Sequence, residues 1–296
     1  MRDILVTGGS GQVGGALVRL GAPAGFRFIS PARAEMELAD PASIAAFVAS
    51  RPWAAVINAG AYTAVDRAQS EVEAAWRVNA LAPACLARAS AEAGVPLIHV
   101  STDYVFPGDM DRPYREDDPV GPLGVYGASK EGGEQAVRTG NPRHAIVRTS
   151  WVVSAHGANF LKTMLRLGAD RDVLRVVADQ QGAPTAAADL ADVLALIAQR
   201  MIVDPHAPVG TFHFANAGAT TWAGFAAEIF RLSAARGGPS TRVEPIATKD
   251  YPTPAPRPAN SRLDLQRIRE IHGVHPRPWE QATADIIDEL IPPRAS

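Results

Sequence analysis

The run Ile4-Leu5-Val6-Thr7-Gly8-Gly9-Ser10-Gly11-Gln12-Val13-Gly14 leaves this chain fewer folds than any other stretch does. Its apolar start reads as a buried strand, glycines recur at 8, 11 and 14, and Ala16-Leu17-Val18-Arg19-Leu20 continues in a helical pattern. Glycine permits a tight turn and a close approach to a pyrophosphate, whose charge then rests on the free N–H groups at the helix N-terminus. Strand, glycine turn and helix therefore predict a dinucleotide site built on Gly8 and Gly11.

Strands and helices keep alternating along the chain. Phe26 to Ile29, Ala54 to Asn58, Pro96 to Ser101 and His144 to Thr149 read as strands. Asp40 with Pro41 reads as a helix start, and a long helix is expected from about Ser70 to Ala93. This alternation predicts an α/β fold, a Rossmann-like doubly wound parallel sheet whose ligands bind beyond the carboxyl ends of the strands. Residues 1–150 are expected to form the cofactor domain, completed by later segments, and 151–296 mainly a smaller α/β substrate domain. The substrate is expected between them.

With 47% apolar and 20% charged residues and a net charge of −2, nothing in the composition attracts nucleic acid or an anionic membrane. Cys85 is the single cysteine, so no intramolecular disulfide can form, and its apolar setting suits an inert thiol. The histidines show no metal-ligand spacing, and His99, inside Pro96-Leu-Ile-His-Val100, reads as a core residue. No signal-peptide-like or membrane-spanning apolar run is evident, so a cytoplasmic protein is expected.

Two stretches carry chemistry. Tyr126-Gly127-Ala128-Ser129-Lys130 follows a Gly-Pro-Leu-Gly run and opens a helical pattern, which places phenol and ammonium on one face. The Lys130 charge is expected to favour the phenolate and lower the Tyr126 pKa from about 10 toward the working pH. Thr102, at the end of the fourth strand, can join Tyr126 as a second donor to a developing alkoxide. The second strand ends in Ser30-Pro31-Ala32-Arg33 without an acid for a ribose 2′-hydroxyl, so Arg33 predicts NADPH. NADH is left open as a second donor.

The order of glycine turn, Asn58-Ala-Gly-Ala, Asn79, Ser101-Thr102-Asp103 and Tyr126-xxx-Lys130 resembles the extended short-chain dehydrogenase/reductase superfamily. Within it the chain resembles the dTDP-4-dehydrorhamnose reductase family, through Ser101 to Gly108, Arg148-Thr-Ser-Trp151, Asp179-Gln-Gln-Gly-Ala-Pro-Thr185 and Arg257-Pro-Ala-Asn260. The resemblance implies NADPH-dependent reduction of the C4 keto group of dTDP-4-dehydro-6-deoxy-L-mannose to dTDP-L-rhamnose. It implies Tyr126 as proton donor to C4 oxygen, Lys130 on the nicotinamide ribose and Thr102 on the substrate carbonyl. Asp103, Tyr126 and Trp151 would contact the sugar nucleotide, and Gly11, Gln12, Val13, Ala61, Tyr62, Thr63 and Val100 the cofactor. A diphosphate needs cations, which makes Arg257 a candidate ligand.

One departure concerns metal. Some members carry acids that bind Mg²⁺ between two subunits at positions occupied here by Ala16 and Ala188, so a Mg²⁺-bridged dimer is not expected, and the protein is expected as a monomer or a homodimer formed otherwise. Dehydratases of the same superfamily carry Thr-Asp-Glu where this chain has Thr102-Asp103-Tyr104, which favours simple reduction. Other dTDP-4-keto-6-deoxy sugars, and a non-catalytic NADP-binding regulatory subunit, remain as alternatives.

Overall fold

The computed structural model describes residues 1–292. Strands β1 (Arg2–Thr7), β2 (Phe26–Ile29), β3 (Ala55–Asn58), β4 (Leu97–Thr102) and β5 (His144–Thr149) join the strand Gly210–His213 in one six-stranded sheet. The order across it is Gly210–His213, β5, β4, β3, β1, β2, and every pairing is parallel. A parallel sheet covered on both faces needs consecutive apolar residues rather than alternating ones. Ile4, Leu5 and Val6 are accordingly all fully buried. Ile4 and Val6 pack with Ile57, Ile98 and Phe212 under the helices Gln12–Leu20 and Ala187–Val203. Leu5 faces the other way, with Val56, Leu97 and Ile146, onto the helices Pro41–Ala49, Ala82–Glu92 and Val125–Gly140. The sheet is the Rossmann-like, doubly wound arrangement expected.

β1 lies between β2 and β3, so strand order reverses there and a crevice opens beyond the carboxyl ends. Register sets what lines it: Thr7 stands level with Asn58, and Thr102 with Thr149.

After β5 the chain leaves the sheet for the helix Phe160–Gly168 and the strand Val173–Val177, then returns for Ala187–Val203 and Gly210–His213. It leaves again for the helix Trp222–Ala235 and the strand Arg242–Ile246, which pairs in parallel with Val173–Val177. With the helix Trp279–Leu290, these outlying pieces enclose an apolar core of their own around Leu161, Phe225, Ile229, Phe230 and Ile287.

Local signals held where they were purely local. Asp40 caps its helix by accepting from the Ala42 N–H at 2.9 Å, with Pro41 in the first turn. The expected continuous helix from Ser70 to Ala93 is instead three pieces: Val72–Trp76, a π-helical turn Arg77–Leu81, and Ala82–Glu92. Pro83 has no N–H for the carbonyl one turn back, and its ring crowds that carbonyl, which belongs to Asn79. The backbone widens there, and the Asn79 oxygen points at the neighbouring helix, 2.1 Å from where a Cβ on residue 133 would stand. Only glycine fits at 133.

Candidate active site

A cavity of about 1100 Å³ lies at the carboxyl ends of β1, β3, β4 and β5. Every residue expected at the cofactor site lines it: Gly8, Gly11, Gln12, Val13, Arg33, Ala61, Tyr62, Thr63, Val100, Tyr126 and Lys130. Thr102, Asp103 and Trp151 line it too.

The glycine turn is shaped by contact as much as by conformation. Gly8 has φ +71°, and a Cβ on it would meet the Gly60 backbone at 2.6 Å. A Cβ on Gly14 would stand 2.3 Å from the Gly8 carbonyl oxygen. Helix Gln12–Leu20 can therefore press its first turn onto β1, leaving its N-terminal N–H groups open to the cavity. Such a cradle suits the diphosphate of a dinucleotide. Gly14→Ala is expected to weaken NADPH binding by about tenfold or more, because a shift of the turn by a fraction of an ångström spoils every phosphate hydrogen bond. A fluorescence titration with NADPH measures it, and unchanged affinity would refute the cradle.

Helix Val125–Gly140 opens at Gly124 in extended conformation, and the Val125 N–H is satisfied from outside by the Gln69 side chain at 2.8 Å. Gly127 lets this helix close on the loop after β4, since a Cβ there would meet the Tyr104 carbonyl oxygen at 2.2 Å. That close approach brings Tyr126 beside Thr102. The Tyr126 ring also meets Tyr104 edge-on, with centroids 5.5 Å apart. Asn79 locks the arrangement from the π-turn, bonding both backbone polar groups of Tyr62 at 2.8 and 3.0 Å and the Ser129 hydroxyl at 3.0 Å. The π-turn and the loop after β4 thus both pack on the helix that carries Tyr126.

Electrostatics at the phenol differ from the expectation. Burial and the adjacent Asp103 carboxyl push the Tyr126 pKa up to about 12, against a smaller opposing effect of its hydrogen bond to Thr102. Lys130 does not lower it: the ammonium is buried and donates to the Val100 carbonyl oxygen at 2.7 Å. Loss of solvation, offset in part by Glu134, brings the Lys130 pKa down to about 8. Tyr126 is held protonated. Thr102 donates its hydroxyl proton to Asp103 at 2.9 Å and accepts from the Tyr104 N–H. Asp103 is buried deeply enough to raise its own pKa to about 6, despite the hydroxyls of Ser261 and Thr102.

The opposite wall was only half legible. Trp151 is the one non-glycine residue with positive φ among the described residues, at 47°. A bulky side chain in that region costs about 1–3 kcal/mol and persists only where its surroundings hold it. They do here: its indole stacks on Trp222, centroids 3.6 Å apart and planes 15° from parallel, and covers Gly182, where a Cβ would meet it at 2.5 Å. Trp222 also lines the cavity and had no sequence signal beyond a Thr-Thr cap before a helix. Gln12 turns its side chain away from the turn, accepting from Asn159 at 2.8 Å and from Ser154 at 3.1 Å. It ties the glycine turn to the segment after Trp151.

Arg33 stands at the rim, strongly exposed and paired with Glu37 at 2.5 Å. Arg257 lies outside the cavity wall. Its guanidinium donates to Asp66 at 2.9 Å and to the Ala255 carbonyl at 3.1 Å. Asp189, nearest to the missing second acid, is held by Arg277 at 2.8 and 2.9 Å and by Asn216 at 2.6 Å. Among the described residues no group of three or more His, Cys, Asp or Glu could hold a metal ion, and no helix is long and apolar enough to cross a membrane.

A doubly wound sheet with its glycine turn at the switch point, and a Tyr-xxx-Lys helix beside the end of β4, define an extended short-chain dehydrogenase/reductase. The chain matches the family model of the RmlD substrate binding domain over residues 1–291 and belongs to that family. A dTDP-4-dehydrorhamnose reductase of Sinorhizobium fredii is 41% identical over 289 residues, which are 97% of each chain. A dTDP-4-dehydrorhamnose reductase structure from Clostridium acetobutylicum superposes with a TM-score of 0.90 at 35% identity, covering 97% of this chain and 99% of that one. Another, from Bacillus anthracis in complex with NADP, gives 0.89 at 33% identity with the same coverage.

Proposed function

We propose that the protein reduces the C4 keto group of dTDP-4-dehydro-6-deoxy-L-mannose to dTDP-L-rhamnose with NADPH. The observation that carries this reading is the convergence of Tyr126, Thr102 and Lys130 on the cavity that the glycine turn opens. Relatives that span nearly the whole chain and bear the reductase name support it.

Bound NADPH supplies the hydride. Gly8, Gly11 and the helix N-terminus would hold its diphosphate, Val13 and Ala61 to Thr63 would line its cleft, and Lys130 would reach its ribose. Tyr126 protonates the C4 oxygen as it turns into an alkoxide, and a phenol kept neutral up to about pH 12 is loaded for that step. Thr102 stands beside the phenol with its own hydroxyl turned to Asp103, which leaves the phenol proton for the C4 oxygen. Thr102 can donate to the substrate oxygen only after releasing Asp103, so its part is to orient Tyr126 first. Trp151 and Trp222 form the flat apolar face against which the sugar nucleotide lies. Arg257 could serve the substrate diphosphate only by letting go of Asp66. The outlying core after residue 150 is the substrate side of the cleft, and the protein works in the cytoplasm as a monomer or homodimer without Mg²⁺.

The test is NADPH oxidation by the purified protein with enzymatically prepared keto-sugar nucleotide. Product identified as dTDP-L-rhamnose supports the reading. Cofactor binding without turnover of this or another dTDP-4-keto-6-deoxy sugar would remove it.

The Arg33–Glu37 pair bears on cofactor choice. A 2′-phosphate must compete with Glu37 for the guanidinium, and exposed pairs are worth only about 0–1 kcal/mol, so NADPH should win over NADH by a modest factor. Arg33→Ala is expected to raise KM for NADPH and leave KM for NADH unchanged. Equal responses for both cofactors would clear Arg33 of the role.

A further inference from the structure

The buried face of helix Val125–Gly140 carries charges that the proton-transfer scheme leaves unused. Glu134, one turn beyond Lys130, is fully buried. Arg148 on β5, itself 1% exposed, grips it in a fork, Nε to Oε1 at 2.8 Å and Nη2 to Oε2 at 2.7 Å. Arg138 adds a third contact at 2.5 Å. Arg148 is in turn seated over the Phe106 ring at 4.8 Å and donates to the Glu116 carbonyl oxygen at 3.3 Å.

A buried ion pair is an expensive way to join a helix to a sheet, and matched apolar residues usually do it as well or better. Its placement one turn from a buried ammonium gives it another use.

We propose that Glu134, clamped by Arg148, is the positioning residue that holds Lys130 as a cation beside Tyr126.

Other groups facing this face do not do so. His99, on β4, is fully buried, and burial together with Lys130 and Arg138 holds it neutral. Its Nδ1 meets the Asn58 amide at 2.9 Å. Arg138 and Arg148 carry the wrong sign, Tyr126 is neutral, and Asp103 faces Tyr126 and Tyr104. Glu134 is the carboxylate that supports the Lys130 charge. Burial would raise its own pKa, but the Arg148 fork and Arg138 hold it below the ordinary value. The clamp keeps the carboxylate charged, and the carboxylate keeps the lysine charged.

The sign of the effect is fixed. Lys130 is a cation below its pKa and is lost as pH rises through about 8. Without Glu134 that loss moves to lower pH. Because the chain has three lysines, at 130, 162 and 249, Lys130 can be titrated directly by NMR of protein labelled with carbon-13 at lysine Cε, with Lys162→Arg and Lys249→Arg for assignment. Two variants are compared with wild type: Glu134→Gln, and the double variant Glu134→Gln with Arg148→Met, which leaves no buried arginine unpaired if the first fails to fold. In whichever folds, the Lys130 midpoint is expected to fall by about one pH unit or more. An unchanged midpoint overturns the proposal.

The kinetic arm rests on the reductase reading: the alkaline limb of kcat/KM should move with the midpoint while rates below it are less affected. A shifted midpoint in a protein that does not reduce the keto-sugar would remove that reading and leave the role of Glu134 standing.

Discussion

Tyr126→Phe is expected to lower kcat for keto-sugar reduction by about two to four decades and leave NADPH affinity where it was. The variant keeps the ring, its edge contact with Tyr104 and the helix, and removes only the hydroxyl. What is lost is the proton for the C4 alkoxide, which water in a narrow cleft replaces poorly. Because burial and Asp103 keep the phenol protonated up to about pH 12, Tyr126 should contribute no limb to the wild-type rate below that, and the alkaline limb should lie near the Lys130 value of about 8. Steady-state kinetics with both substrates, alongside a cofactor titration, separates the cases. A kcat within tenfold of wild type would mean that another group delivers the proton.

The second large effect is on stability. Arg148→Met alone is expected to cost roughly 3 kcal/mol, at the low end for stranding one partner of a buried pair, since Arg138 remains within reach of Glu134. Removing Glu134 as well should restore most of it, because the double variant leaves neither Arg148 nor Glu134 buried without its partner. Urea unfolding of both variants and wild type gives the comparison through midpoints at a common slope. If the single variant unfolds where wild type does, the pair contributes nothing net, and the fold tolerates a carboxyl group that simply takes up a proton.

Much of the site was legible because its chemistry is local. Gly14 is required by contacts within one turn, and a strand–turn–helix pattern announces it, whereas Gly8 also makes room for Gly60 just beyond β3. Tyr126 and Lys130 share a helix face by spacing alone, and Asp40 caps a helix two residues away. Thr102 follows from being the last residue of a strand in a sheet whose ligands bind at that edge.

What spacing cannot report is who arrives from elsewhere. Trp222 meets Trp151, and Arg257 is taken by Asp66, through contacts that span 71 and 191 residues, the latter as its hydrogen bond records. Arg148 completes Glu134 from the next strand. The break in the helix around Asn79 was written in Pro83, but its use, a carbonyl and an amide bridging two segments, exists only once Gly133 and Ser129 are packed against it.

The sequence by itself determined the doubly wound sheet, the glycine turn and the placing of Tyr126 and Lys130 on one helix face, because backbone turns, helical spacing and strand patterns act over a few residues. Only the tertiary structure decided the charge state of Tyr126. A neighbouring lysine predicts a phenolate, whereas burial beside Asp103 gives a phenol. Desolvation depends on everything packed around a group, and that is known only when the chain is folded.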